Sequence, residues 1–169
     1  TFTIGILVPM DAFENEAWFF HKALIGAVKA ASSKGYDTIV SLHDNGDSLT
    51  NLTSSNKADG YILLRSIVDD VNVSILSKNN IPFAVIGNCG DEKAISIECG
   101  DGKHAVLLTE KLLEMGAKSF LLILGDMSYR VNMERKEGVL GAAENVSVIS
   151  DVKNREDIEK ALDRADEFD

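Results

Sequence analysis

Polar and aromatic side chains recur just past the apolar runs that read as β-strands. Asp11 and Phe13 follow the first run, Arg65 and Ser66 the third, Asn88 the fourth, Asp101 the fifth and Asp126 the sixth. Carboxylate, amide and guanidinium groups are planar and make paired hydrogen bonds to neighbouring hydroxyls, and the charge-assisted ones are stronger. An aromatic ring offers its face to the apolar C–H side of a sugar. The run Trp18-Phe19-Phe20 opens a helix soon after the first strand. Together these are the ingredients of a pocket for a hydroxylated small molecule. Plainer uses stand beside them. Asp101 suits the N-cap of its helix, and Arg65 a surface ion pair. Rings in such a run, Trp18 among them, are more often core than stacking platform; Phe20 is core by spacing, and Phe19 suits either use.

Motifs for catalysis or cofactors are absent. Pro9-Met10-Asp11 follows the first strand where a dinucleotide fingerprint needs a glycine-rich turn. There is no Walker A sequence and no Gly-x-Ser-x-Gly elbow. His21, His43 and His104 are scattered, which gives no zinc cluster. The acidic turn from His43 to Asp47 lacks the spacing and closing Glu of a calcium hand and reads as a solvated turn. Arg65 stands where a phospho-receiver domain needs a carboxylate. The expectation is a sensor with no cofactor and no metal. A flavodoxin-like or isomerase-like enzyme remains the catalytic alternative.

The elements that position these residues follow from periodicity. Ile4 to Val8 is an almost unbroken apolar run, as a parallel strand covered on both faces requires. Pro9 ends it, having no N–H for a ladder. Further strands are expected at 36–42, 61–64, 83–86, 94–97, 120–124 and 146–149, and helices at 17–34, 48–56, 70–78, 101–115, 130–144 and 155–168. Phe20, Leu24, Ala27, Val28 and Ala31 share one helical face. Ala105, Leu108, Leu112 and Met115 share another, and Ile158, Ala161, Leu162 and Ala165 are expected to face inward. Gly35 and Gly116 suit the position just past a helix. Asp47 or Ser48 is expected to cap the second helix, and Asp69 or Asp70 the third. Strand and helix alternate with short connections, which argues an α/β fold with a doubly wound parallel sheet. In such sheets ligands bind at the carboxyl edge where strand order reverses, here the loop leaving the first strand. A lobe boundary is expected between residues 113 and 119, giving 1–115 as a first lobe and 116–169 as part of a second.

The chain has 169 residues, is 45% hydrophobic and carries a net charge of −10. It is long enough for one good core. Its charge repels nucleic acid and anionic membranes, so the segment itself is not a DNA-binding surface. No apolar run approaches the roughly 20 residues of a membrane span, and no signal peptide opens the chain. Beginning at Thr1, it reads as a fragment or a processed product. Two cysteines, Cys89 and Cys99, are too few for a disulfide framework and read as reduced thiols.

Several stretches resemble the effector-binding domain of LacI/GalR-type transcriptional regulators. They are Ile4 to Pro9, Ala58 to Leu64, Asn80 to Gly87, Lys111 to Gly125 and Arg135 to Gly138, in the family's order and near its spacing. The resemblance implies a type I periplasmic-binding-protein-like fold, present here as a first lobe and part of a second. It implies a cytoplasmic repressor domain that holds a small-molecule effector, a sugar, between lobes. It also implies a homodimer that meets operator DNA only through an N-terminal headpiece absent from this chain, and no membrane partner. The family's Asn-Pro-Phe-Phe segment matches Ala17 to Phe20, which makes Phe19 the ring stacked on ligand. Asp101 matches the second residue of the family's Asp-Asn pair, Arg135 the Arg that reaches ligand hydroxyls, and Asn88 the polar residue after the fourth strand. The resemblance also implies that the chain ends before the strand carrying a further ligand-contacting Asp. An extracellular sugar-binding receptor of an ABC transporter shares the fold and is the other binding-protein reading.

Overall fold

Ile6, Leu7, Val8 and Pro9 are fully buried, so the first strand, β1 (Thr3–Pro9), lies inside the sheet and not at its rim. A computed structural model of the chain describes residues 1–10 and 18–163. In it β1 pairs in parallel with β2 (Asp37–His43) on one side and β3 (Gly60–Leu63) on the other. The sheet continues through β4 (Phe83–Ile86) and β5 (Ile95–Ile97), in the order β2-β1-β3-β4-β5, with every strand pairing parallel. The chain winds outward from β1 to β2, then crosses back to β3. Strand order therefore reverses beside β1, as expected.

Alternation along β1 sends side chains to opposite faces. Leu7 joins Leu63 and Val85 in a core closed by Leu49 of α2 (Asp47–Ser54) and by Val73 and Leu76 of α3 (Val71–Lys78). Ile6, Val8 and Leu64 form the other core, against Phe20, Ala23, Leu24, Ala27 and Val28 of α1 (Trp18–Ser33). The apolar stripe expected on this helix thus meets the sheet. Gly35 and Gly116 adopt φ of 78° and 98°, as residues just past a helix end do. Asp70 caps α3, accepting from the Asn72 amide at 2.9 Å. The α2 cap differs from expectation. Gly46 holds the N-cap position, and Asp44, in the preceding turn, accepts from the Gly46 amide at 2.9 Å, the Ser48 amide and the Ser48 hydroxyl.

The chain forms two compact units, Thr1–Glu98 and Cys99–Asp169. The second holds α4 (Asp101–Glu114), β6 (Phe120–Ile123), α5 (Arg130–Ala142), β7 (Val146–Ile149) and α6 (Arg155–Asp163), with β6 and β7 pairing in parallel. The units part ahead of α4, whereas sequence placed the division after it, because α4 packs against α5. That contact runs through small residues. A Cβ on Gly138 would stand 2.4 Å from the Gly102 carbonyl oxygen and 3.1 Å from the Ala105 Cβ. The close approach leaves the larger residues of α4 outside: Leu108 and Met115 are 63% and 75% exposed. On α6, Ala161 is buried but Ile158 and Leu162 are exposed, contrary to expectation. Ala165 lies outside the described residues.

Candidate functional site

At the carboxyl edge of the first unit, α1 and β3 place aromatic and cationic groups side by side. The Phe19 ring meets Phe20 edge-on at 5.3 Å, and the Arg65 guanidinium sits over the Phe20 ring, also at 5.3 Å. Phe20 is itself seated on the core of β1, so the arginine rests on a fixed support. Such a cation over a ring contributes about 0.5–1 kcal/mol at an exposed site. Phe19 and Trp18 are mostly exposed. The Lys22 ammonium lies 4.3 Å from the Trp18 ring centroid, one helical turn on. One face of Trp18 is thereby covered, while Phe19 is a ring available for stacking.

Other expected contacts have internal duties. Ser66 is buried, and its hydroxyl donates to the Ile67 carbonyl at 3.4 Å. The Asn88 side-chain oxygen accepts from the Gly90 amide at 2.8 Å, bracing its turn. Asp11 and Phe13 lie outside the described residues.

A buried polar cluster beneath this edge escaped the sequence reading. His43 is not in a solvated turn. Its side chain is 6% exposed and its Nε2 lies 2.9 Å from Asp70 Oδ2. Asp70 also accepts from the Ile67 amide at 3.2 Å. The Asn72 side-chain amide donates to the Asp44 carbonyl at 2.7 Å. Burial pushes the Asp70 carboxyl upward, but the His43 hydrogen bond and charge, with the Ile67 and Asn72 amides, outweigh it and hold it below the ordinary carboxylate range. The Asp44 carboxyl is likewise lowered, chiefly by the Ser48 hydroxyl. The available signal was a histidine ending an apolar strand, paired with an Asp that starts a helix.

In the second unit, Asp101 and Arg135 are partners. Arg135 Nη2 and Nε donate to Asp101 Oδ1 at 2.6 Å and 2.9 Å. Asp101 occupies the first turn of α4, and Gly100, not Asp101, is the N-cap. The pair borders a pocket of about 400 Å³ lined by Leu108, Leu122, Leu124 and Val139 together with His104 and Asn132. Asp126 belongs to the turn before α5: its carboxylate accepts from the Ser128 amide and its carbonyl from the Asn132 side chain, both at 2.8 Å.

The first unit's edge thus holds an exposed ring and fixed cations, and the second unit, taken by itself, a pocket bordered by an ion pair. Among the described residues, no His, Cys, Asp and Glu side chains group as metal ligands, and no helix is long and apolar enough to cross a membrane. Cys89 is buried, Cys99 is exposed, and both are free thiols.

No protein-family model matches the chain. It is 29% identical to catabolite control protein A of Staphylococcus xylosus over 153 residues, which cover 88% of this chain and 44% of that protein. It is 26% identical to the HTH-type transcriptional regulator MalR of the same organism over 163 residues, covering 90% and 48%. The chain thus spans about half the length of the curated relatives it matches. Among solved structures, a transcription regulator like protein from Staphylococcus haemolyticus superposes with a TM-score of 0.82 at 24% identity, covering 97% of this chain and 65% of that one. The chain is a homologue of the LacI-family regulators catabolite control protein A and MalR, with the periplasmic-binding-protein-like fold of LacI-family regulator domains.

Proposed function

We propose that the chain is the effector-binding part of a DNA-binding transcriptional regulator, and that its effector is a sugar or similar hydroxylated metabolite. The observation that carries this reading is the cluster of Phe19, Phe20 and Arg65 at the carboxyl edge of a sheet whose strand order reverses there. Phe19 stacks on the apolar side of the sugar ring, and Arg65 serves its hydroxyls. Within the second unit, the Asp101–Arg135 pair beside its own pocket offers polar contacts to a ligand of the same class. The likeness to two transcriptional regulators favours this assignment over a transport receptor or an enzyme.

In the whole protein, the effector biases an attached DNA-binding headpiece within a cytoplasmic homodimer. Its binding supplies a coupling free energy of about 1–3 kcal/mol. The test is calorimetric titration of the chain with glucose, maltose and glucose 6-phosphate, repeated with Phe19→Ala. The reading requires at least one ligand to bind and Phe19→Ala to weaken it. Absence of binding across the panel, or no effect of Phe19→Ala, refutes it.

A further inference from the structure

One carboxylate ties three segments of the first unit together. Asp70 receives His43 Nε2 from the end of β2, the Ile67 amide from the β3–α3 loop, and the Asn72 amide from the first turn of α3. His43 is level with Pro9 in the β1–β2 register. β1 stands between β2 and β3 in the sheet. The bridge from His43 to Asp70 therefore crosses the carboxyl end of the central strand. Its far side holds the loop that begins with Arg65 and Ser66.

The cluster is too well buried to touch a ligand, with Asp70 and Asn72 at 5% and 1% exposure. Its cost is plain. A charged carboxylate and an imidazole are withdrawn from water, and Asn72 Oδ1 has no hydrogen-bond partner among the described residues. An apolar filling would serve folding as well. What the polar arrangement adds is direction, because hydrogen bonds fix a loop's position where apolar contact does not.

We propose that His43 is a positioning residue for the ligand-binding edge. It orients Asp70, whose second duty, accepting from the Ile67 amide, sets where the Arg65–Ser66 segment lies. The binding half of this inference rests on the effector reading above; the positioning half does not.

The test compares the wild-type chain with His43→Gln, His43→Leu and Leu49→Ala. Glutamine keeps a donor near the Nε2 position, leucine removes it, and Leu49→Ala lowers stability from the core without touching the cluster. Ile67 amide exchange is followed by NMR in the ligand-free chain and normalised for global stability. It should quicken in His43→Leu by about tenfold, the scale of one lost charge-assisted hydrogen bond. His43→Gln and Leu49→Ala should stay near wild type. Should His43→Leu not fold, His43→Asn, too short to reach Asp70, takes its place. Equal exchange in all variants, or equal acceleration in His43→Gln and Leu49→Ala, overturns the proposal.

Titration with the same sugars then reads the binding half, with affinity expected to follow the exchange order. A wild-type chain that binds none of them, with Ile67 behaving as stated, counts against the effector reading alone and supports the positioning role.

Discussion

Arg135 and Asp101 occupy each other: two guanidinium nitrogens converge on one carboxylate oxygen, joining α5 to the first turn of α4. Residues read separately from sequence as ligand contacts are one unit. A polyol meeting this edge encounters an arginine whose direction is already set and an aspartate whose charge is already balanced.

Arg135→Ala separates the two roles. Both side chains are partly exposed, so the pair contributes only about 0–1 kcal/mol to folding. A charge-assisted hydrogen bond to ligand is worth about 1.5–3 kcal/mol. The variant is therefore expected to melt within a few degrees of wild type while binding a sugar roughly 10- to 100-fold more weakly. Differential scanning calorimetry and titration check the two parts.

Gly138→Ala should loosen α4 from α5. The new Cβ would stand 2.4 Å from the Gly102 carbonyl oxygen, which is backbone and cannot swing aside. A loss of about 1–3 kcal/mol is expected. Gly141 is the control on the same helix, since a Cβ there meets nothing within 4 Å. Gly141→Ala should be neutral or gain up to about 1 kcal/mol. Urea denaturation of both variants measures the contrast.

Gly5 and Tyr61 are register partners on β1 and β3. The tyrosine ring occupies the space a Gly5 side chain would need, with its Cδ1 only 2.3 Å from an added Cβ. Gly5→Ala is expected to cost about 1–3 kcal/mol. The Tyr61 hydroxyl is buried without a hydrogen-bond partner among the described residues, and burial raises its pKa. Tyr61→Phe should thus raise stability by about 1 kcal/mol, read as a higher urea midpoint.

Stability should also respond to acid through Asp70. Its carboxyl titrates lower in the folded chain than in the unfolded one. Its contribution is present above the unfolded value of about 3.9 and is lost as pH falls through the folded pKa. Urea midpoints of wild type and Asp70→Asn should differ at pH 6 and converge below about pH 4. A gap that persists at low pH would contradict the assignment.

The order of elements was legible from sequence because it rests on local periodicity. The apolar run of β1, the stripe on α1, the strands at Phe83–Ile86 and Val146–Ile149, and the glycines after α1 and α4 are set by residues a few positions apart. So was the likeness to LacI-family regulators, carried by motifs in sequential order. Which polar side chains remain for a ligand was not legible. Ser66, Asn88 and Asp126 look alike in sequence to groups that face a pocket, yet each braces its own turn. The face that α4 presents was decided by the fit of Gly102 and Ala105 against Gly138, which overrides the hydrophobic stripe. His43 and Asp70 are 27 residues apart and belong to segments on opposite sides of β1. Only the order of strands in the sheet brings them within hydrogen-bonding distance, and no local pattern encodes that order.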